Sequence, residues 1–544
     1  MYSTEVINTD VLVIGSGGAG LCASISARNE GADVTIVSKN RIGMANNTTI
    51  SGGVFAASTG LRDSSDTPAL HIKDTIVSGC SINNPDMVKK MAEGAHEQIK
   101  NLQKYGVKFA KRETGELWII HVPGHSVPRH VFSENSFGTD FTSPVSKYVL
   151  KTGVKNLSGV FVERILLDEH GRTSGALILD KKDSKVVVIH AKAVVLAAGG
   201  AGRIYSQNNN TPSSTGDGYA LAFSLGLPLI DMEFVQCYPT LLIEPSLPRK
   251  MIAYEALVFR GGAKLFNTDG EDILSLYGID EPSSMTRDAL TLAVIKEVER
   301  GKGSNGGVWM DISSVPEKKL ERYRKFIPDC LKDRIRFLVT PVVHHFMGGL
   351  LVNQEGETGI EGLFAAGEVN GGVHGANRLG GNALTEAWVY GDITGRAAAL
   401  YAKKIKHRAD SYDPEEFKKG LSQYTDNRNE YTARDIQKDL QKLMWEKAGI
   451  VRKEKLLTEL ITNIHDLKKR LYNCKANEWR NLITILETKN MLLVSEAVTR
   501  AALLRKESRG SHYREDFPKY GGDSWIKNTI IKVTKDGMAA EFSL

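Results

Sequence analysis

The chain has 544 residues, 41% of them hydrophobic and 25% charged, with a net charge of +6. That length accommodates two or three domains with a large core, and the balance is that of a soluble globular protein rather than a disordered or fibrous one. Basic residues are spread along the sequence rather than clustered, which argues against nucleic-acid binding, while the mild positive bias favours acidic substrates or acidic partners.

No apolar run reaches the roughly 18–20 residues that span a bilayer. The start, Met1 to Val6, has no basic segment followed by an apolar one. The expectation is a cytoplasmic protein without direct membrane insertion, any membrane association coming through a partner. Cys22, Cys80, Cys237, Cys330 and Cys474 are scattered, with no Cys-x-x-Cys. No iron–sulfur cluster or metal centre is therefore expected on this chain, and a reducing compartment is.

Residues 9–15 read as a buried strand. Gly15, Gly17 and Gly20, with Gly18 and Ala19 between them, then open a helix over Leu21–Glu30, and a second strand follows over Asp33–Val37. Strand, G-x-G-x-x-G, helix and strand within about 30 residues form the setting of a dinucleotide-binding turn. The second strand ends in Ser38-Lys39 rather than in an acid. Ser38 can hydrogen-bond a ribose hydroxyl, but this is not the usual NAD signature.

Residues 161–197 alternate in β fashion with turns at Glu169–Arg172 and Lys182–Ser184, predicting an antiparallel excursion that returns to the sheet. A second glycine cluster, with Ala198 and Gly199, follows that strand. A third, Leu363–Glu368, follows a turn. Three such clusters around one nucleotide fold suggest FAD, a long ligand touched by distant segments. Residues 240–343 lie between two clusters and are mixed in pattern, which suggests an inserted domain. From about 410 the pattern is helical. Leu456, Leu457, Leu460, Ile461, Ile464, Leu467 and Leu471 share one stripe, and Leu482, Ile485 and Leu486 begin another.

The segment His374–Leu384 sets Arg378 among small residues just before a helix-forming run. Arginine offers a planar fork suited to carboxylate. A helix N-terminus offers unpaired N–H groups and partial positive charge. The segment is therefore a candidate anion site; the alternative is a helix-entry loop with one structural arginine.

Taken with Ser51-Gly52-Gly53, Ser214–Gly218, Asp231–Gln236, Thr286-Arg287-Asp288, Met347-Gly348-Gly349, Ala366-Gly367-Glu368 and Arg505–Arg514, these motifs resemble the succinate dehydrogenase, fumarate reductase and L-aspartate oxidase flavoproteins over nearly the whole chain. The likeness is greatest to a fumarate reductase flavoprotein subunit. It implies an α/β fold, with a Rossmann-like FAD-binding domain (1–235 and 347–405), an inserted α+β capping domain (236–346), and a C-terminal helical domain and tail (410–544).

The resemblance also implies hydride transfer between flavin N5 and a carbon of a small dicarboxylate. It makes Arg378 and His344 carboxylate-binding residues and Arg287 the proton donor, with Glu255 and Arg260 as its relay. His125 falls on a motif near the substrate. Glu368 would bind the flavin's ribityl chain, Asp217 the nucleotide, and Asn382, Ala383 and Leu384 the flavin's pyrimidine edge. Gly15, Gly17, Gly18, Ala19, Gly20, Ser38, Lys39, Ser51, Gly52, Gly53, Ala198, Gly199 and Arg378 complete the expected cofactor contacts. A separate iron–sulfur subunit would carry the electrons.

Three departures matter. Asn46 stands where membrane-complex relatives attach FAD through histidine, and an amide cannot form that link, so non-covalent FAD is expected. Tyr238 replaces a substrate histidine, and a phenol carries no positive charge. The relay begins at Tyr254-Glu255 and is more widely spaced. These changes keep L-aspartate oxidation, or reduction of another enoate, open beside fumarate reduction. A non-catalytic flavin-binding protein is disfavoured by the joint presence of Arg287, Glu255, His344 and Arg378.

Overall fold

The computed structural model describes residues 4–183, 185–243, 255–282, 285–324, 332–407, 424, 431–476, 478–535 and 537–543. Ser184, Tyr254, Cys330 and the expected boundary near 410 lie outside the described residues.

The strand Thr4–Ile14 pairs in parallel with Val34–Ser38 on one side and with Val186–Leu196 on the other. Lys155–Ser158 extends the sheet beyond Val34–Ser38. Val11, Leu12, Val13, Val34, Ile36, Val194 and Val195 are all 0% exposed, as expected where helices cover both faces of a parallel sheet. The antiparallel excursion is present: Val160–Leu167 pairs with Thr173–Asp180, which returns into Val186–Leu196. The last residues of that same strand also take Leu363–Ala365 in parallel, with Leu363 opposite Val194 and Ala365 opposite Leu196. The third glycine cluster is thereby brought back beside the first two.

Helix Gly18–Asn29 follows the first strand and packs on the long helix Asn382–Ala402. The approach is close enough that a Cβ at Gly391 would stand 2.5 Å from the Ala19 carbonyl oxygen, and one at Gly395 would stand 2.3 Å from that of Ala23. Substitution at either position would force the helices apart.

Val235–Leu242, Arg336–Phe346, Val308–Asp311 and Lys264–Phe266 form a separate antiparallel sheet. It has its own apolar cluster, which includes Leu265, Leu290, Val294, Met310 and Val339. The helix Arg287–Glu297 packs on it and presents Arg287 at its first position.

The C-terminal part contains the helices Ala433–Ala448, Glu454–Tyr472 and Trp479–Leu504. In the middle one Leu457, Leu460, Ile464, Leu467 and Leu471 are buried and Leu456 and Ile461 half-buried, matching the predicted stripe. The end of the chain departs from the helical expectation. Thr529–Thr534 and Gly537–Phe542 form a hairpin that pairs with Leu229–Ile230. The run Thr-Ile-Ile-Lys-Val-Thr is rich in β-branched residues, which favour a strand, and Gly537 turns the chain at φ +109°.

Candidate active site

The three glycine clusters follow the carboxyl ends of three parallel strands, Thr4–Ile14, Val186–Leu196 and Leu363–Ala365, where open α/β sheets bind ligands. Two glycines are required by the protein itself. A Cβ on Gly15 (φ +111°) would lie 2.2 Å from the Ala197 oxygen, and one on Gly20 would lie 1.9 Å from the Gly15 oxygen. Gly17, Gly52 and Gly199 differ. A Cβ would meet nothing nearer than 3.6 Å at Gly17 or 4.0 Å at Gly52, and nothing within 4 Å at Gly199. At these three glycines the side chains of Thr48, Asn46 and Val54 come no nearer than ordinary contact and leave room beside the backbone, so the residues present fit a dinucleotide such as FAD.

Several expected cofactor residues have protein partners. Ser38 Oγ donates to the Asn40 carbonyl (2.6 Å). Lys39 Nζ reaches Asp217 (2.5 Å), Glu487 (2.6 Å) and Thr215 (2.7 Å), and Asp217 also accepts from Asn490 (2.9 Å). The side chains of Lys39 and Asp217, both expected among the nucleotide contacts, tie the second strand to the helix Trp479–Leu504. Glu487, which draws Lys39 away, lies too far along the sequence for a local pattern to reveal it. Ser51 Oγ donates to the Thr48 carbonyl (2.8 Å) and Gly18 N–H to Thr48 Oγ1 (3.0 Å). Gly53 (φ +62°) packs against Ser133, whose Oγ a Cβ would approach to 2.3 Å.

Asn46 caps the short helix Asn47–Ile50: its Oδ1 accepts from Thr49 N–H (3.0 Å), and its Nδ2 donates to the Ser16 carbonyl (3.3 Å). Glu368 accepts from Phe346 N–H (3.1 Å) and Asn47 Nδ2 (3.4 Å), and burial pushes its carboxyl up to about 7. Asn382, Ala383 and Leu384 form the first turn of their helix after Gly381 (φ +80°). The Asn382 side chain bonds His71 Nε2 (2.9 Å) and Thr75 Oγ1 (3.0 Å), so only backbone N–H groups of that turn are left for a ligand.

Arg378 and Arg287 line one small cavity of about 30 Å³ together with Glu255, Thr286, Gly124 and Gly380. Arg378 is buried. Its Nε donates to Gln236 Oε1 (3.1 Å) and its Nη1 to the Leu379 carbonyl (3.1 Å). Burial and the neighbouring Arg287 push its guanidinium down to about 9, still charged near neutrality. Arg287 Nε donates to Glu255 Oε1 (2.8 Å) and Nη2 reaches the same oxygen. Among the described residues, Arg287 Nη1 and Glu255 Oε2 are buried without a hydrogen-bond partner. Such orphaned groups are costly unless a ligand takes them up.

Tyr238 and His344 lie outside this cavity wall and join it through Arg287. The Arg287 guanidinium stands 5.2 Å from the Tyr238 ring centre, and the Tyr238 and His344 rings meet edge to face at 5.6 Å. Tyr238 Oη accepts from Glu255 N–H (3.3 Å). His344 Nδ1 bonds Asn209 Oδ1 (3.1 Å), and burial beside Arg378 and Arg287 holds the ring far below its usual pKa, hence neutral.

Two expected roles meet a different geometry. Arg260 is exposed, and its guanidinium bonds the His121 ring (3.1 Å) and carbonyl (3.5 Å). Among the described residues Glu255 has Arg287 on one oxygen and no partner on the other, and Arg260 bonds His121 instead. His125 has both ring nitrogens occupied, Nε2 by the Gly380 carbonyl (3.0 Å) and Nδ1 by Arg129 Nη1 (3.3 Å). It thereby holds the loop after Arg378. His130 Nε2 bonds the same carbonyl (2.8 Å). Arg129 is fully buried between Asp66 (3.1 Å) and Asp74 (2.8 Å).

Sequence reasoning assigned no role to His71, Arg129, His130, Gln236 or Asn377. It also missed the buried pair of His374 and Glu386 (2.9 Å), which sits beside His345 and Glu368. Their signal was faint: polar residues near motifs, without the partners that only the fold supplies.

A glycine-lined cradle at the ends of parallel strands, in a chain that also sets two arginines and one carboxylate around a small cavity, defines a dinucleotide-cofactor protein that takes a small anion. Residues 10–384 match the family described as FAD binding domain, and residues 437–543 match Fumarate reductase flavoprotein C-term. The chain is 37% identical to an uncharacterized FAD-dependent oxidoreductase of Methanocaldococcus jannaschii, over 97% of each chain. It is 35% identical to a component of the CoM/CoB fumarate reductase of Methanothermobacter marburgensis, covering 97% of this chain and 98% of that one. Against L-aspartate oxidase of Acinetobacter baylyi the identity is 31%, with 96% and 95% covered. A solved quinol fumarate reductase chain of E. coli superposes with a TM-score of 0.91 at 28% identity, over 99% of this chain and 97% of that one. The chain belongs to the fumarate reductase and succinate dehydrogenase flavoprotein family and is an FAD-dependent oxidoreductase of that type. Among the described residues no helix is long and apolar enough to cross a membrane.

Proposed function

We propose that the protein interconverts fumarate and succinate, or a closely related pair of small unsaturated and saturated carboxylates. One observation carries this reading: Arg378 and Arg287 share a buried cavity with a single carboxylate, Glu255. Two guanidiniums and one carboxylate line it, with Glu368 and Glu386 acting on Arg378 from outside the lining, and an entering carboxylate would bond the arginines. Reduction adds a hydride to one alkene carbon and a proton to the other. FAD, when bound, supplies the hydride. Arg378 holds a carboxylate with a preorganised fork and polarises the double bond.

Arg287 gives the proton. A free arginine is a poor acid, with a pKa above about 12, so it serves only when fixed at the reacting carbon and reprotonated. Glu255, bonded to Arg287 Nε and Nη2, is placed to return the proton. Its second oxygen, Oε2, is buried beside the same cavity. Tyr238, stacked on Arg287, orients the donor where relatives would place a histidine.

FAD is bound non-covalently in this reading, since Asn46 is a helix cap and no nucleophile. Electrons come from a separate iron–sulfur protein. The deciding experiment is an anaerobic assay with reduced dye and fumarate, run beside aspartate oxidation. Fumarate-dependent dye oxidation is expected. Aspartate oxidation without it would assign L-aspartate oxidase, and inactivity toward both would point to another enoate.

A further inference from the structure

Next to the inner cavity lies a larger one of about 420 Å³. Lys73 and Val77 on the helix Pro68–Ser78, His121, Gly124 and His125 on the loop beyond it, and Arg260 line it. Gly124 belongs to the walls of both cavities, so the two adjoin. Their sizes differ in a way that matters. About 30 Å³ holds roughly one water molecule, whereas 420 Å³ falls in the roughly 300–1,000 Å³ range of ligand pockets. The outer one has room for a whole four-carbon diacid.

The outer chamber is also electropositive. Its acid, Asp74, is already matched, because its carboxylate accepts from Arg129 Nη1 (2.8 Å) and from Ser126 N–H (2.8 Å) and hydroxyl. His121 donates Nε2–H to the His125 carbonyl, which leaves Nδ1 as a neutral acceptor for Arg260 (3.1 Å). That contact aims the guanidinium without offsetting its charge. Lys319 Nζ adds a further cation on the Arg260 carbonyl (2.6 Å). Among the described residues, neither Lys73 nor Arg260 has a carboxylate within ion-pair distance. Two unmatched cations, brought from distant parts of the chain, thus face one solvent-filled space beside the catalytic cavity.

We propose that this chamber is a second anion site, which holds a carboxylate-bearing acid between Lys73 and Arg260 before the acid passes Gly124 to the inner arginines. That the anion is the dicarboxylate substrate rests on the proposed function; that the chamber binds an anion does not. Electrostatic capture at a mouth raises the on-rate more than it changes chemistry. Its loss should therefore appear in KM rather than in kcat.

The test is calorimetric titration of the FAD-loaded protein with malonate at low ionic strength, with flavin absorbance followed in parallel. Wild type should bind two equivalents, one of which perturbs the flavin. Lys73→Gln should lose the equivalent that leaves the flavin spectrum unchanged and keep the other, and Lys73→Arg should restore both. In turnover, Lys73→Gln should raise KM for the acid about threefold to tenfold, at most about the effect of one partly exposed charge, with kcat within about twofold and a flatter dependence on salt. A single equivalent in wild type, or a Lys73→Gln titration and KM identical to wild type, would overturn the proposal. Two malonate equivalents in a protein that does not reduce fumarate would uphold the chamber and reject the substrate.

Discussion

Two groups of buried arginines in this molecule are built on opposite plans. Near the C-terminus, Arg505, Arg509 and Arg514 are at most 2% exposed, and each is matched by a carboxylate. Arg505 meets Glu233 (2.6 Å) and Glu507 (3.0 Å), Arg509 meets Glu507 (2.8 Å), and Arg514 meets Asp516 (2.8 Å). At the inner cavity Arg378 has only neutral acceptors, and Arg287 shares one carboxylate and keeps a buried N–H unpaired. A matched buried charge belongs to the scaffold, because removing one partner strands the other. An under-matched one costs stability until a ligand arrives, so it marks the place where the ligand binds.

The contrast can be broken by experiment. The largest effect belongs to the matched group. Arg505→Met leaves Glu233 buried without its cation and should cost about 3–5 kcal/mol, read as a large drop in the denaturation midpoint of the FAD-loaded protein; an unchanged midpoint would refute a scaffold role. Next comes Arg287→Ala, which should lower turnover about 10²–10⁴-fold while FAD binding stays near wild type. A near-normal rate would reject the proton-donor assignment. Arg378→Lys keeps the charge and loses the fork, so KM should rise about tenfold or more with a smaller change in kcat; an equal KM would show that charge alone suffices. Acid precipitation should release the flavin into solution, and flavin that stays on the polypeptide would contradict the reading of Asn46.

The smallest effect is on pH dependence. Burial raises the Glu368 carboxyl from its ordinary 4.5 to about 7, so the folded protein favours the protonated form. Its contribution to stability is complete below about 4.5 and is lost as pH rises through about 7. Apoprotein should therefore lose stability across that window, and Glu368→Gln should flatten the slope. An identical pH profile in both proteins would remove Glu368 from the account.

Local pattern was enough for the cofactor half. Gly15 and Gly20 are demanded by the turn they make, the strand and helix periods around them are visible in a few residues, and the stripe from Leu457 to Leu471 declares its buried face. The resemblance carried Arg287, Glu255 and Arg378 to positions that share one cavity. What local pattern could not supply was the partner of each polar group. Lys39 is drawn to Glu487, His125 to Gly380, and Arg260 to His121, each across a separation that periodicity does not register. The chain by itself determined its elements and the inventory of charges, because backbone geometry and burial are read over short windows. Only the tertiary structure decided which charges are matched and which are left for a ligand, because electrostatic satisfaction is settled among neighbours in space.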